Sequence, residues 1–156
     1  MTAWPPPVYR LRQEFDAPRS FVFRWCTDYR PDDAARAGEE YERRILARSA
    51  REVVYEDLWS EKDGWRWRRY RVTLSPPDRW HAESVGNVRE ATIDYRLTEL
   101  AGARTALDLE LRRRPVSERF PQPPRRAMEA ELRALWGNYA AALEKEFRRT
   151  RRRRSA

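Results

Sequence analysis

Cysteine, histidine, lysine and glycine are all scarce in this 156-residue chain. Cys26 stands alone, which excludes an intramolecular disulfide and any zinc site made of four cysteines. The five glycines are scattered and form no phosphate-cradling loop. With a single histidine, His81, no Ser-His-Asp arrangement stands out. No run of 18 apolar residues is present, so no transmembrane helix is expected. The opening stretch MTAWPPPVYRLRQEF lacks the basic-then-apolar plan of a secretory signal. A soluble cytoplasmic protein without metal or cofactor is the expectation.

What is abundant is aromatic and arginine side chain. Hydrophobic residues make up 40% and aromatics 12% of the chain, a composition that folds, at a length that suits one domain. The net charge is +8, but six arginines (Arg148, Arg149 and Arg151 to Arg154) crowd the C-terminus, and without them it falls to +2. The excess is therefore local. Residues 150–156 are expected to form a disordered arginine-rich tail, able at most to touch anionic lipid or nucleic acid weakly.

Periodicity sets the order of elements. Tyr9, Leu11 and Phe15 alternate with charge over 8–15, a strand pattern. Pro18 opens a short helix whose apolar face is Phe21, Val22, Trp25 and Cys26, ending near Asp28. A second helical turn or loop fills 29–40. Strand-like segments follow at 41–49, 51–59, 64–74, 79–85, 91–100 and 104–114, with turn signals at Asp63-Gly64, SPPD, Gly86-Asn87 and AGA. The short spacings favour antiparallel neighbours. After a proline-rich connector, Met128, Leu132, Leu135, Trp136, Tyr139, Leu143 and Phe147 form one apolar stripe on a long helix over about 124–149, which needs a sheet face to cover it.

The segment GWRWRRYRVTL (64–74) is ambiguous. Aromatics interleaved with arginines suit a nucleic-acid surface, and a half-buried strand shows the same alternation. Its apolar parity switches, with Trp65 and Trp67 on one face and Tyr70, Val72 and Leu74 on the other. A β-bulge at Arg68-Arg69 would bring all five onto the inner face and leave the arginines outside.

The order of strand, two short helices, six strands and long helix resembles the helix-grip fold of the SRPBCC superfamily. That superfamily includes START domains, polyketide cyclases and pollen-allergen-like proteins. The stretches FDAPRSFVFRWCTD and LWGNYAAALEKEF carry the likeness. The resemblance implies an α+β fold, a curved antiparallel sheet of about seven strands wrapped on a long C-terminal helix, as one domain over 1–149. It also implies an apolar cavity that binds a hydrophobic small molecule or lipid. The iron-dependent members need two histidines and a carboxylate, and one histidine does not suffice.

Within that frame Trp59, Trp67, Tyr95, Met128, Leu132, Trp136 and Tyr139 are the expected cavity lining. Asp57, His81, Glu83 and Asp94 are the ionisable strand residues a cyclase or dehydratase would use, with a solvated surface role as the alternative for each. Asp57 shares its parity with Val53, Tyr55 and Trp59. Cys26 reads as core. A non-catalytic binding protein is the first reading; a cyclase/dehydratase-like enzyme and an RNA or protein interaction module are the others.

Overall fold

A computed structural model describes residues 7–156. Alternation of Tyr9, Leu11 and Phe15 with charged residues builds β1 (Val8–Phe15). Pro18, extended at φ −70° and ψ 151°, launches α1 (Arg19–Thr27). The Thr27 hydroxyl donates back to the Phe23 carbonyl within its last turn. α2 (Asp33–Ala37) stops at Gly38, whose φ of 70° lets its N–H reach the carbonyls of Ala34 and Ala35. Six strands follow: β2 (Glu42–Arg48), β3 (Glu52–Glu61), β4 (Gly64–Ser75), β5 (Arg79–Gly86), β6 (Arg89–Leu100) and β7 (Arg104–Pro115). α3 (Arg125–Ser155) closes the chain.

All seven strands join one antiparallel sheet in the order β1-β7-β6-β5-β4-β3-β2. The α1–α2 segment crosses from one edge strand to the other, and the rest is a meander that brings β7 back beside β1. α3 packs against β1, α1 and α2. Its Met128, Leu132, Trp136, Ala140 and Leu143 are buried, at the three- and four-residue steps of one helical face. Among the described residues no helix is long and apolar enough to cross a membrane.

Two expectations are corrected. β4 runs without a bulge: Arg68 and Arg69 pair with Asp57 and Glu56 on one side and with Gly86 and Val85 on the other. Even-numbered residues therefore face inward throughout. Tyr70, Val72 and Leu74 point in, and so do Arg66 and Arg68, while Trp65 and Trp67 are 64% and 41% exposed on the outer face. The inward arginines find rings in place of carbon neighbours. The Arg68 guanidinium lies 4.6 Å from the Trp59 ring centre, and that of Arg66 lies 4.9 Å from Phe120. Stacking of this kind makes the inner position tolerable without a register change. A register shift does occur in edge strand β2, between Ile45 and Ala47.

The second correction concerns the tail, which is not disordered: α3 continues to Ser155 and carries all six terminal arginines. Arginine is a good helix former, and positive charge suits a helix C-terminus. The hydroxyls of Thr150 and Ser155 donate to the carbonyls four residues earlier.

Leu143, fully buried beneath α3, gives the measure of this packing. Leu143→Ala is expected to cost about 2–5 kcal/mol in urea unfolding. Trp65→Ser should stay within about 0.5 kcal/mol; a comparable loss there would show that Trp65 is packed inside after all.

Candidate functional site

Because α3 lies over the β1 side, the inner faces of β3 to β7 are only partly filled. Between them and α3 is a cavity of about 770 Å³. Exposed Glu39, Glu40, Ala134 and Asn138 also line it, so it opens to solvent between α3 and the segment after α2.

Rings form its walls. Trp80 and Tyr95, cross-strand partners, stack with centroids 4.6 Å apart and planes within 9°. Trp136 of α3 meets Tyr95 at 6.0 Å and Tyr139 at 5.3 Å. Trp25 of α1 stands edge-on to Tyr139. A second stack runs from Tyr29 through Tyr55 to Tyr70, with spacings of 5.0 and 4.8 Å. Of the expected lining residues, Trp59, Tyr95, Met128, Leu132, Trp136 and Tyr139 all border this space. Trp67 does not, since the unbroken β4 register turns it outward.

The four ionisable candidates separate. Asp57 is on the inner face and 3% exposed. Arg43 holds it with two hydrogen bonds of 2.7 and 2.9 Å and donates a third, of 2.6 Å, to Asp33. The same guanidinium lies 4.2 Å from the Tyr55 ring centre. With both oxygens engaged, Asp57 is a structural counter-ion. His81, Glu83 and Asp94 lie on the opposite face of the sheet, where His81 Nδ1 is 2.7 Å from Asp94 and Nε2 is 3.6 Å from Glu83. Thr73, His81 and Asp94 fall in one cross-strand row beside a groove of about 660 Å³. Backbone N–H groups there are spent on the ladder, leaving none to stabilise an oxyanion.

Inside the cavity the phenols are held neutral. Burial raises Tyr41 to about 12, and burial likewise pushes Tyr29, Tyr55, Tyr95 and Tyr139 upward. The Tyr41 hydroxyl is buried without a hydrogen-bond partner. Burial, with Asp28 and Asp33 adding to it, raises the Cys26 thiol, which suppresses thiolate chemistry. The cavity thus offers phenol O–H donors at neutral pH.

The residues missed from sequence are arginines. Arg68, Arg89 and Arg113 also border the cavity. Their signal was parity: Arg113 follows Leu107, Leu109 and Leu111, Arg89 precedes Ala91, Ile93 and Tyr95, and Arg68 precedes Tyr70 and Val72. A charged residue in phase with a core face points where the core points.

No protein-family model matches the chain, and no curated protein matches it. Solved structures match at low identity. A START superfamily protein from Mycobacterium smegmatis is 14% identical, with 92% of this chain and 98% of that one covered and a TM-score of 0.65. The ZhuI aromatase/cyclase from a Streptomyces species is also 14% identical, covering 92% and 94%, at 0.67. A protein from Thermus thermophilus is 15% identical, covering 88% and 97%, at 0.70. The chain has the helix-grip fold of these structures.

Two measurements probe the site's electrostatics. Removing one partner of a buried ion pair strands the other, so Asp57→Ala should lose about 3–5 kcal/mol in urea unfolding; a loss near zero would mean that Arg43 is satisfied without it. Asp28, at the end of α1, is raised to about 6, by burial first and then by the charge of Asp33, and its Oδ1 has no partner. The folded state holds this proton more tightly than the unfolded chain, so stability should fall as pH rises from 3.8 to about 6. Asp28→Asn should flatten that part of the profile. An unchanged slope would assign the dependence to another group.

Proposed function

We propose that the protein is a soluble cytoplasmic binder, and carrier or sequesterer, of a hydrophobic ring-bearing small molecule or lipid held between α3 and the sheet. The observation that carries this is the cavity of about 770 Å³ walled by Trp80, Tyr95, Trp136 and Tyr139. That volume lies in the range of small-molecule sites, which are typically apolar with few polar groups. Fold neighbours named as a START superfamily protein and as an aromatase/cyclase are in keeping with a small-molecule site.

Binding is favoured over cyclase or dehydratase chemistry by the state of the cavity's ionisable groups. The phenols remain protonated, and Asp57, the one member of the set Asp57, His81, Glu83 and Asp94 that borders the cavity, is committed to Arg43. An RNA-binding strand is disfavoured for a related reason. On the outer face of β4 the tryptophans are accessible, but Arg69 and Arg71 are paired with Glu56 and Glu52. The basic end of α3 supports an additional contact with anionic lipid, each arginine near the surface adding about 1 kcal/mol.

Tryptophan fluorescence titration with fatty acids, sterols, quinones and aromatic polyketides tests the proposal. A ligand that saturates the wild type should bind Trp136→Ala at least about tenfold more weakly, a difference of about 1.4 kcal/mol. Trp67→Ala should leave its affinity unchanged. Silence across the panel would overturn the reading.

A further inference from the structure

On four adjacent strands the inner face changes character at one level. β4 reads Leu74, Val72, Tyr70, Arg68; β5 reads Trp80, Ala82, Ser84, Gly86; β6 reads Tyr95, Ile93, Ala91, Arg89; β7 reads Leu109, Leu111, Arg113. The registers align these changes. Tyr70 faces Ser84, Ser84 faces Ala91, and Ala91 faces Arg113. One step further, Arg68 faces Gly86, which is joined to Arg89 by the two-residue turn Asn87-Val88. One end of the cavity is therefore ringed by three guanidiniums, and the other is walled by rings.

These cations lack the partners that other inward arginines have. Arg43 is matched by Asp57 and Asp33, and Arg66 by Asp63. Among the described residues, no carboxylate lies within ion-pair distance of Arg68, Arg89 or Arg113. Arg113, 8% exposed, donates to the neutral amide of Gln122 at 3.1 Å. Arg68 Nε is buried with no acceptor, and the buried Ser84 hydroxyl is likewise unpartnered. Asp57, across the strand from Arg68 but held by Arg43, Glu39 beyond α2 and Glu131 of α3 reach the cluster only through their fields. Burial and the neighbouring charge of Arg89 bring Arg113 down to about 10. Cations brought together out of water without counter-ions are costly, and an anion in their midst reverses the sign of that cost.

Gly86 keeps the ring open. A Cβ there would come within 2.4 Å of the Trp67 carbonyl and 3.0 Å of Arg68 Cγ, so only glycine lets Arg68 lie across the neighbouring strand.

We infer that the ligand is an amphipathic anion, its carboxylate or comparable oxyanion held by Arg68, Arg89, Arg113 and Ser84 and its hydrophobic body extending toward Tyr95, Trp80 and Trp136. The six residue steps from Arg89 to Tyr95 span about 20 Å of strand, room for a fused-ring or acyl-chain body. This rests on the cavity-binding reading and adds the chemistry of the head group.

The test compares two probes with one body, 1-pyrenebutyric acid and 1-pyrenebutanol, titrated into the full chain at neutral pH. The acid is expected to bind at least about tenfold more tightly than the alcohol, as a charge-assisted contact requires. Arg68→Gln and Arg89→Gln should each remove most of that preference while leaving the affinity for the alcohol intact, which also shows that the variants fold. Arg71→Gln, on the outer face of the same strand, should preserve the preference. Equal binding of both probes by the wild type would overturn the inference and leave the cavity reading standing. Loss of the preference in Arg71→Gln would assign it to net charge and likewise overturn it. Binding of neither probe would overturn the cavity reading and the inference together.

Discussion

Arg43 is the side chain on which the site's architecture turns. From edge strand β2 it reaches β3 through Asp57, α2 through Asp33 and the ring of Tyr55 through its face. β2 has a single neighbouring strand, and α2 is only five residues long, too short to hold itself by helix cooperativity. One planar cation with donors along both edges satisfies two carboxylates and a π-face at once, a task a lysine's point charge does not match. The segment after α2, with Glu39 and Tyr41, borders the cavity, so that wall depends on the same contact.

With this wall and the α3–β1 contact in place, the remaining space follows from geometry. A straight helix laid against one side of a curved sheet cannot also fill the strands on the other side. Rings projecting from both layers narrow the gap without closing it. Tyr95 stacks on its own sheet through Trp80 and tilts against Trp136 from the helix. Buried phenols that keep their protons and guanidiniums that keep theirs make the end of the cavity near Arg68, Arg89 and Arg113 rich in donors.

The fold was largely legible in the sequence because it rests on period-two and helical spacing. β1 was readable from Tyr9, Leu11 and Phe15, and the covered face of α3 from Met128 through Leu143. The expected lining residues Tyr95, Trp136 and Tyr139 came from the same logic. The error at β4 came from treating hydrophobicity as the sole mark of an inward residue. Arg68 keeps the parity of Tyr70 and Val72, and only a bulge would move Trp65 and Trp67 inside. What could not be read was that Trp59 and Phe120 would supply rings for inward guanidiniums, because those partners come from other segments of the chain. The ion pairing of Asp57 was hidden in the same way, since its partner Arg43 is named only by the β2–β3 register. The end of α3 was misjudged because a run of like charge resembles a disordered tail, while an established helix continues through arginine at little cost.

That continuation has an electrical consequence. Six fixed positive charges on the last turns of a 31-residue helix sit about 40 Å from its start, on a body that is otherwise close to neutral. The molecule is therefore a permanent dipole in the macroscopic sense. In the field of a charged surface it experiences a torque before it makes contact, and its encounters arrive already oriented with the end of α3 leading.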